Sequence, residues 1–230
     1  MLLLILLLTE FTILFFLSQS LTQSLFELCL LLFRSRSVAI TIITILNFPG
    51  TVIHELSHLF TAEILGVRTG KLTLVPESIQ ENEIKAGSVE IAQTDPFRRY
   101  LIGLAPVFIG LISVTVLSYF LSQQFSPVTL LTILYFYLLL TIGNAMFSSA
   151  EDLKGFIPFI LTLGIMAAGA YYAGFRVGLT GPAFSVATTI LQALTKSLGG
   201  VLALNLVGIL LTKLLILLVS TLTRRKIYRR

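Results

Sequence analysis

Apolar runs of membrane-spanning length dominate this chain. A helix that crosses the hydrocarbon core of a bilayer takes about 20 mostly apolar residues. Five stretches meet or approach that length: 38–66, 100–122, 128–146, 156–175 and 198–222. A sixth candidate, Met1–Leu17, is short and interrupted by Glu10. It lacks the basic leader and small-residue cleavage site of a signal peptide, so it reads as a retained first span or half-span. Ser18–Ser24 is polar and Leu25–Phe33 is too short to cross alone. Residues 1–33 therefore form either one long tilted helix or a span followed by an interfacial piece. Composition excludes the soluble alternatives. Charged residues make up 12% of the chain, where a soluble domain carries about 25%, and the single cysteine, Cys29, rules out a disulfide scaffold. The net charge of +5 would suggest a nucleic-acid partner in a soluble chain. Here the basic residues sit between apolar runs and at the C-terminus, where they meet lipid head groups, and no nucleic acid is expected.

One long polar segment, Val67–Arg99, interrupts this pattern. It contains two stretches of alternating character, Lys71–Val75 and Ser88–Ala92, with Pro76, Asn82 and Gly87 between or beside them. Alternation bounded by turn residues predicts a β-hairpin or small sheet. Pro182–Lys196 is only mildly apolar and reads as an interfacial or re-entrant helix. No repeat or linker divides the chain. The expected fold is an all-α polytopic membrane protein with about six transmembrane helices and a small β-hairpin or sheet in the 67–99 loop. It forms a single domain over 1–230, with a core at 38–155 and C-terminal spans at 156–230.

Lys and Arg set the expected orientation. Arg68, Lys71, Lys85, Arg98 and Arg99 lie in the polar loop, Lys154 follows the 128–146 run, and Arg224, Arg225, Lys226, Arg229 and Arg230 form the tail. Positive-inside bias places these three regions in the cytosol, and six spans then leave both termini inside. The same count puts Arg34 and Arg36 outside. The expected location is a multi-pass position in the cell membrane of a prokaryote, with the site described next toward the cytosolic face.

Within the 38–66 run the chain reads His54-Glu55-Leu56-Ser57-His58. Residues i and i+4 share a helix face, so both imidazoles reach one zinc ion, Zn2+, and Glu55, one residue on, sits beside it as general base to a water. The chain has only two histidines, and both fall in this motif. Ionisable side chains inside a span are costly and mark function. A structural zinc would be closed by four protein ligands, and with Cys29 distant in sequence there is little to close this one. A catalytic zinc needs a third ligand and an open position. The chain has two aspartates. Asp95, before Pro96, reads as a turn-former. Asp152 follows the 128–146 run, and the charge-based topology sends that run and 38–66 in the same direction, bringing His54, His58 and Asp152 to one membrane face. Asp152 is the expected third ligand, with Glu151 and then Glu63 behind it.

A histidine pair of this kind inside a span, with an aspartate on a later span, resembles the site-2 protease family of intramembrane zinc metalloproteases. The family's distal motif runs N-x-x-P-x-x-x-L-D-G. Asn144 and Asp152 keep the Asn-to-Asp spacing, Phe147 stands where the proline would be, and Gly155 lies three residues past Asp152. Gly103-Leu-Ala105-Pro106 is similar in part to a second family stretch, A-G-P-x-x-N, and Phe48-Pro49-Gly50 is similar to the approach to the histidine motif in a compact branch without PDZ-like or CBS-like insertions. The resemblance implies that His54, His58 and Asp152 hold zinc, that Glu55 is the general base, and that a membrane-spanning protein substrate is cut at a peptide bond. Asn144 is a candidate donor to the developing oxyanion or, equally, a helix–helix hydrogen bond. The strands in 67–99 are candidates to receive an unwound substrate by β-addition. Lys213 and Asn205, eight residues apart, are expected on one helix face, with Lys213 snorkelling to the interface. Two other classes compete: a non-proteolytic membrane protein that keeps a metal site as sensor, transporter or scaffold, and a metalloprotease of the kind that cuts prenylated proteins, which needs a glutamate ligand on a later helix.

Overall fold

The computed structural model describes residues 2–74, 87–123, 129–147, 165, 166, 169, 172–174 and 181–223. Its elements are α1 (Leu2–Phe33), α2 (Arg36–Ile64), β1 (Thr69–Thr73), β2 (Ser88–Ile91), α3 (Pro96–Ser122), α4 (Leu130–Ala145) and α5 (Pro182–Thr223). Among the described residues four helices, α1, α2, α3 and α5, are long and apolar enough to cross a membrane, and α4 is a shorter apolar helix. The chain is an all-α membrane protein with a two-stranded sheet, and the expected count of six spans is not what these residues show.

The difference has local causes. Polar Ser18–Ser24 does not break α1, which runs unbroken for 32 residues. Its hydroxyls fold back onto the helix: Thr22 donates to the Ser18 carbonyl at 3.0 Å and Ser24 to Ser20 at 2.8 Å. Pro182–Lys196 is not a separate interfacial piece either; it is continuous with the apolar run that follows, in one helix of 42 residues. At 1.5 Å per residue α1 is ~48 Å long and α5 ~63 Å, both beyond the ~30 Å hydrocarbon core. The expected span 156–175 lies almost wholly outside the described residues.

Helices α1 and α2 run antiparallel, joined through Arg34 and Ser35. Arg34 closes α1 in the left-handed region at φ 55°, its N–H donating to the Leu30 carbonyl at 2.9 Å. Ser35 then caps α2, its hydroxyl accepting from the Val38 N–H at 3.4 Å. A residue with a Cβ pays roughly 1–2 kcal/mol in that conformation and glycine does not. Arg34→Gly is therefore expected to stabilise the bundle by about 1 kcal/mol, measured as a higher unfolding midpoint in detergent.

The other contacts fix helix directions. Leu46 meets Tyr137 and His54 meets Ala145, each pair 91 residues apart, and Gly50 packs on Thr141 between them. Helices α2 and α4 are thus parallel and in register. Helix α3 is antiparallel to α2, with Ile102 beside His58. Glu10 lies by Gly199 and Leu21 by Gly208, so α1 and α5 are parallel. The core at the level of His54 and Ala145 joins Leu14, Val114, Ile142, Phe147, Leu198 and Val201. Phe147 stands edge-on to Phe11 and Phe15, with centroids 4.7 and 5.8 Å away.

The direction of α5 corrects the expected topology. It delivers Thr223 to the end where α1 passes into α2, opposite the sheet. Among the described residues, Arg34 and Arg36 lie at that end and Arg68, Lys71, Arg98 and Arg99 at the sheet end, so the last helix does not end on the side of the 67–99 loop as expected.

Candidate metal centre

The site is assembled from α2, α3 and α4. Helix α2 carries His54, Glu55 and His58, which are 4, 6 and 7% exposed. It ends in a Schellman motif: Gly66 at φ 70° donates to the Glu63 carbonyl, and the Val67 N–H donates to Ala62 at 2.8 Å. Glycine suits that left-handed position. Buried Val67 then packs with Ala62 and Ile102, seating the end of α2 against α3 before the chain enters β1.

Both imidazoles are held through Nδ1. His54 Nδ1 lies 2.7 Å from the Ala145 carbonyl and His58 Nδ1 lies 2.8 Å from the Ile102 carbonyl. A carbonyl oxygen only accepts, so each Nδ1 carries the proton and donates it. In a neutral ring Nε2 is then a lone pair. The two Nε2 atoms face each other at 3.2 Å. Nitrogen ligands at ~2.0–2.1 Å from a tetrahedral zinc are separated by about 3.3 Å. A proton shared between the rings would meet the same spacing, but at the cost of an imidazolium among apolar helices. The donor set and its spacing fit zinc.

The two acceptor carbonyls are available for identifiable reasons. Pro106 sits inside α3 and has no N–H, so the carbonyl four residues earlier, that of Ile102, has no intrahelical donor from it. Ala145 is the last residue of α4, where carbonyls have no partner in the next turn. These backbone partners of the histidines are absent from the expected site. The signal for one of them was a proline inside an apolar run; the other depends on where α4 stops.

Pro49 bends the same logic back onto α2, which continues through it. One residue past the carbonyl that Pro49 cannot reach, the Leu46 carbonyl accepts from the Tyr137 hydroxyl at 2.8 Å. Gly50 follows. A Cβ there would collide with the Thr141 carbonyl oxygen and come within 2.7 Å of the Thr141 carbonyl carbon and 2.9 Å of Ala145 Cβ. The absent side chain lets α4 approach closely enough for Ala145 to receive His54. The sheet closes the other side: β1 and β2 pair antiparallel, Thr73 with Ser88 and Leu72 with Val89. Gly87, just before β2, lies against Glu55 and Thr51.

The remaining expected residues fall as follows. Asn144 is on the last turn of α4, next to Ala145, and its Oδ1 is buried with no hydrogen-bond partner. Asp152 and Glu151 lie outside the described residues. Glu63 is exposed, turned away from the buried histidine face. No group of three metal-ligating side chains occurs among the described residues. Asp95 is the N-cap of α3, accepting from the Arg98 N–H at 3.0 Å. That hydrogen bond holds its carboxyl below the usual range. Asn205 is fully buried, donating to the Val201 carbonyl at 3.0 Å, while Lys213 is exposed. The two do not share a face, because eight residues leave about 80° between them at 3.6 residues per turn.

No protein-family model matches the chain, nor does any curated protein or solved structure. The fold and the site define a helical membrane protein with two buried, carbonyl-anchored histidines.

Proposed function

We propose that this chain is an intramembrane zinc metalloendopeptidase that hydrolyses peptide bonds of membrane-spanning substrates and resembles the site-2 protease family. The observation that carries this reading is the pair of Nε2 atoms 3.2 Å apart, with both Nδ1 atoms donating to backbone carbonyls. Metal-binding histidines are fixed in this way by a second hydrogen bond, which sets tautomer and ring orientation.

His54 and His58 would hold zinc with Asp152 as third ligand. Bound there, zinc supplies Lewis acidity toward a peptide carbonyl and brings the pKa of a water toward neutrality. The chain's own groups do the rest. Glu55 takes the proton from the attacking water and returns it to the leaving amine. Asn144 donates through Nδ2 to the developing oxyanion. The apolar walls from α2, α3 and α4 keep bulk water away and strengthen each of these interactions. The cytosolic placement of the sheet end belongs to this proposal and rests on Arg68, Lys71, Arg98 and Arg99. Thiol labelling of a Ser88→Cys variant from one side of the membrane decides it.

Metal analysis tests the assignment. Purified protein is expected to carry about one zinc per chain, and His58→Ala or Asp152→Asn to weaken binding at least about tenfold. A chelator is expected to stop cleavage of a single-span test protein, and added zinc to restore it. Folded protein that takes up no zinc in titration defeats the reading.

A further inference from the structure

The proposed chemistry requires a peptide bond beside Glu55, and a piece of this chain already lies there. Gly87 sits against the Thr51–Glu55 edge of α2, two residues one turn apart on the same face. A Cβ built on it would be 2.8 Å from Glu55 Cγ, 2.9 Å from Glu55 Oε1 and 3.0 Å from the Thr51 methyl. Gly87 therefore lies too close to Glu55 for a side chain to fit between them, and the extended strand β2 begins at the next residue. His54, Glu55 and His58 are all buried.

A general base works within about 2.6–3.2 Å of the proton-bearing atom it serves. The water that attacks a substrate must reach Glu55, and the scissile carbonyl must lie against that water. Gly87 already stands against that carboxylate. We propose that the segment at Gly87 is an internal occupant of the substrate position: an autoinhibitory cover that leaves Glu55 before a substrate strand is cut. This proposal rests on the peptidase reading and adds to it a closed state held by the protein's own chain. Glycine is the residue that permits the cover, since any side chain at position 87 has to displace either Glu55 or the strand.

A reversible lock tests it. In a Cys29→Ala background, Thr51→Cys and Ser88→Cys are bridged by a short bifunctional thiol reagent through disulfides, which leaves Gly87 and Glu55 unaltered and holds the start of β2 on α2. Closing the bridge is expected to lower cleavage of a single-span test protein by at least about a hundredfold, and reduction to restore it. A quantitatively crosslinked enzyme that cleaves within about twofold of its reduced form overturns the cover. A second measurement needs no turnover. With Glu55→Gln added, excess test protein is expected to slow disulfide closure about tenfold, because substrate holds the segment away. Closure at an unchanged rate overturns the proposal. The two readings fail separately: wild type that cleaves nothing defeats the peptidase assignment, while closure that ignores substrate defeats the cover.

Discussion

Glu55→Gln is expected to leave zinc content and thermal stability unchanged and to lower the single-turnover cleavage rate by about 10²–10⁴-fold. The substitution preserves shape and removes the ability to accept a proton. Glu55 is 6% exposed and packs under Gly87, so an isosteric amide fills the same space without opening a cavity. His54 stays anchored to Ala145, and His58 to Ile102, through hydrogen bonds made by other atoms. Loss of rate with retained metal separates a base from a ligand; loss of both assigns Glu55 to the coordination sphere. Equal cleavage by both proteins, measured with zinc content on the same sample, removes Glu55 from the chemistry.

Much of this arrangement is legible in the sequence because it is local. The histidine pair depends only on helical periodicity, and α2 spans the run where the motif lies. The strands fall within a residue or two of the alternating stretches, since period-2 patterning and flanking turn residues are short-range signals. What stays hidden depends on a partner helix. The Ile102 carbonyl is a hydrogen-bond acceptor because Pro106 lies one turn on, and it matters because α3 places it beside His58. Neither fact is visible from His58. The direction of α5 is equally non-local. Hydropathy marks Leu198 and Val201 as apolar, but their packing beside Leu14 in a helix parallel to α1 follows from side-chain fit across the seam. Counting charges assumed that the last span ends on the side of the 67–99 loop, and that assumption fails because α5 runs parallel to α1. Asn205 and Lys213 show the same limit on a finer scale. Eight residues look like a shared face but leave about 80° between them, enough for the neighbouring helix to bury Asn205 and leave Lys213 exposed.

Gly50→Ala is expected to weaken zinc binding about 10–100-fold and to destabilise the bundle by about 1–3 kcal/mol. Position 50 is one turn before His54 on α2, and its neighbours on α4 are the carbonyl group of Thr141 and Ala145 Cβ. Backbone cannot swing aside as a side-chain tip does, so α4 as a whole must move outward. The His54 Nδ1 to Ala145 contact of 2.7 Å then opens. An imidazole without that acceptor loses its fixed tautomer and ring plane, and metal affinity falls even though the ligand itself is intact. Gly200→Ala is the matched control. Nothing lies within 4 Å of a Cβ built there, so a helical alanine is expected to be neutral or to stabilise by up to about 1 kcal/mol. Competitive zinc titration and thermal unfolding of both variants read the two effects side by side. Wild-type zinc affinity in Gly50→Ala would mean that the close α2–α4 approach packs the bundle without orienting His54. Zinc lost in that variant and kept in Gly200→Ala ties the metal centre to the backbone contact at position 50.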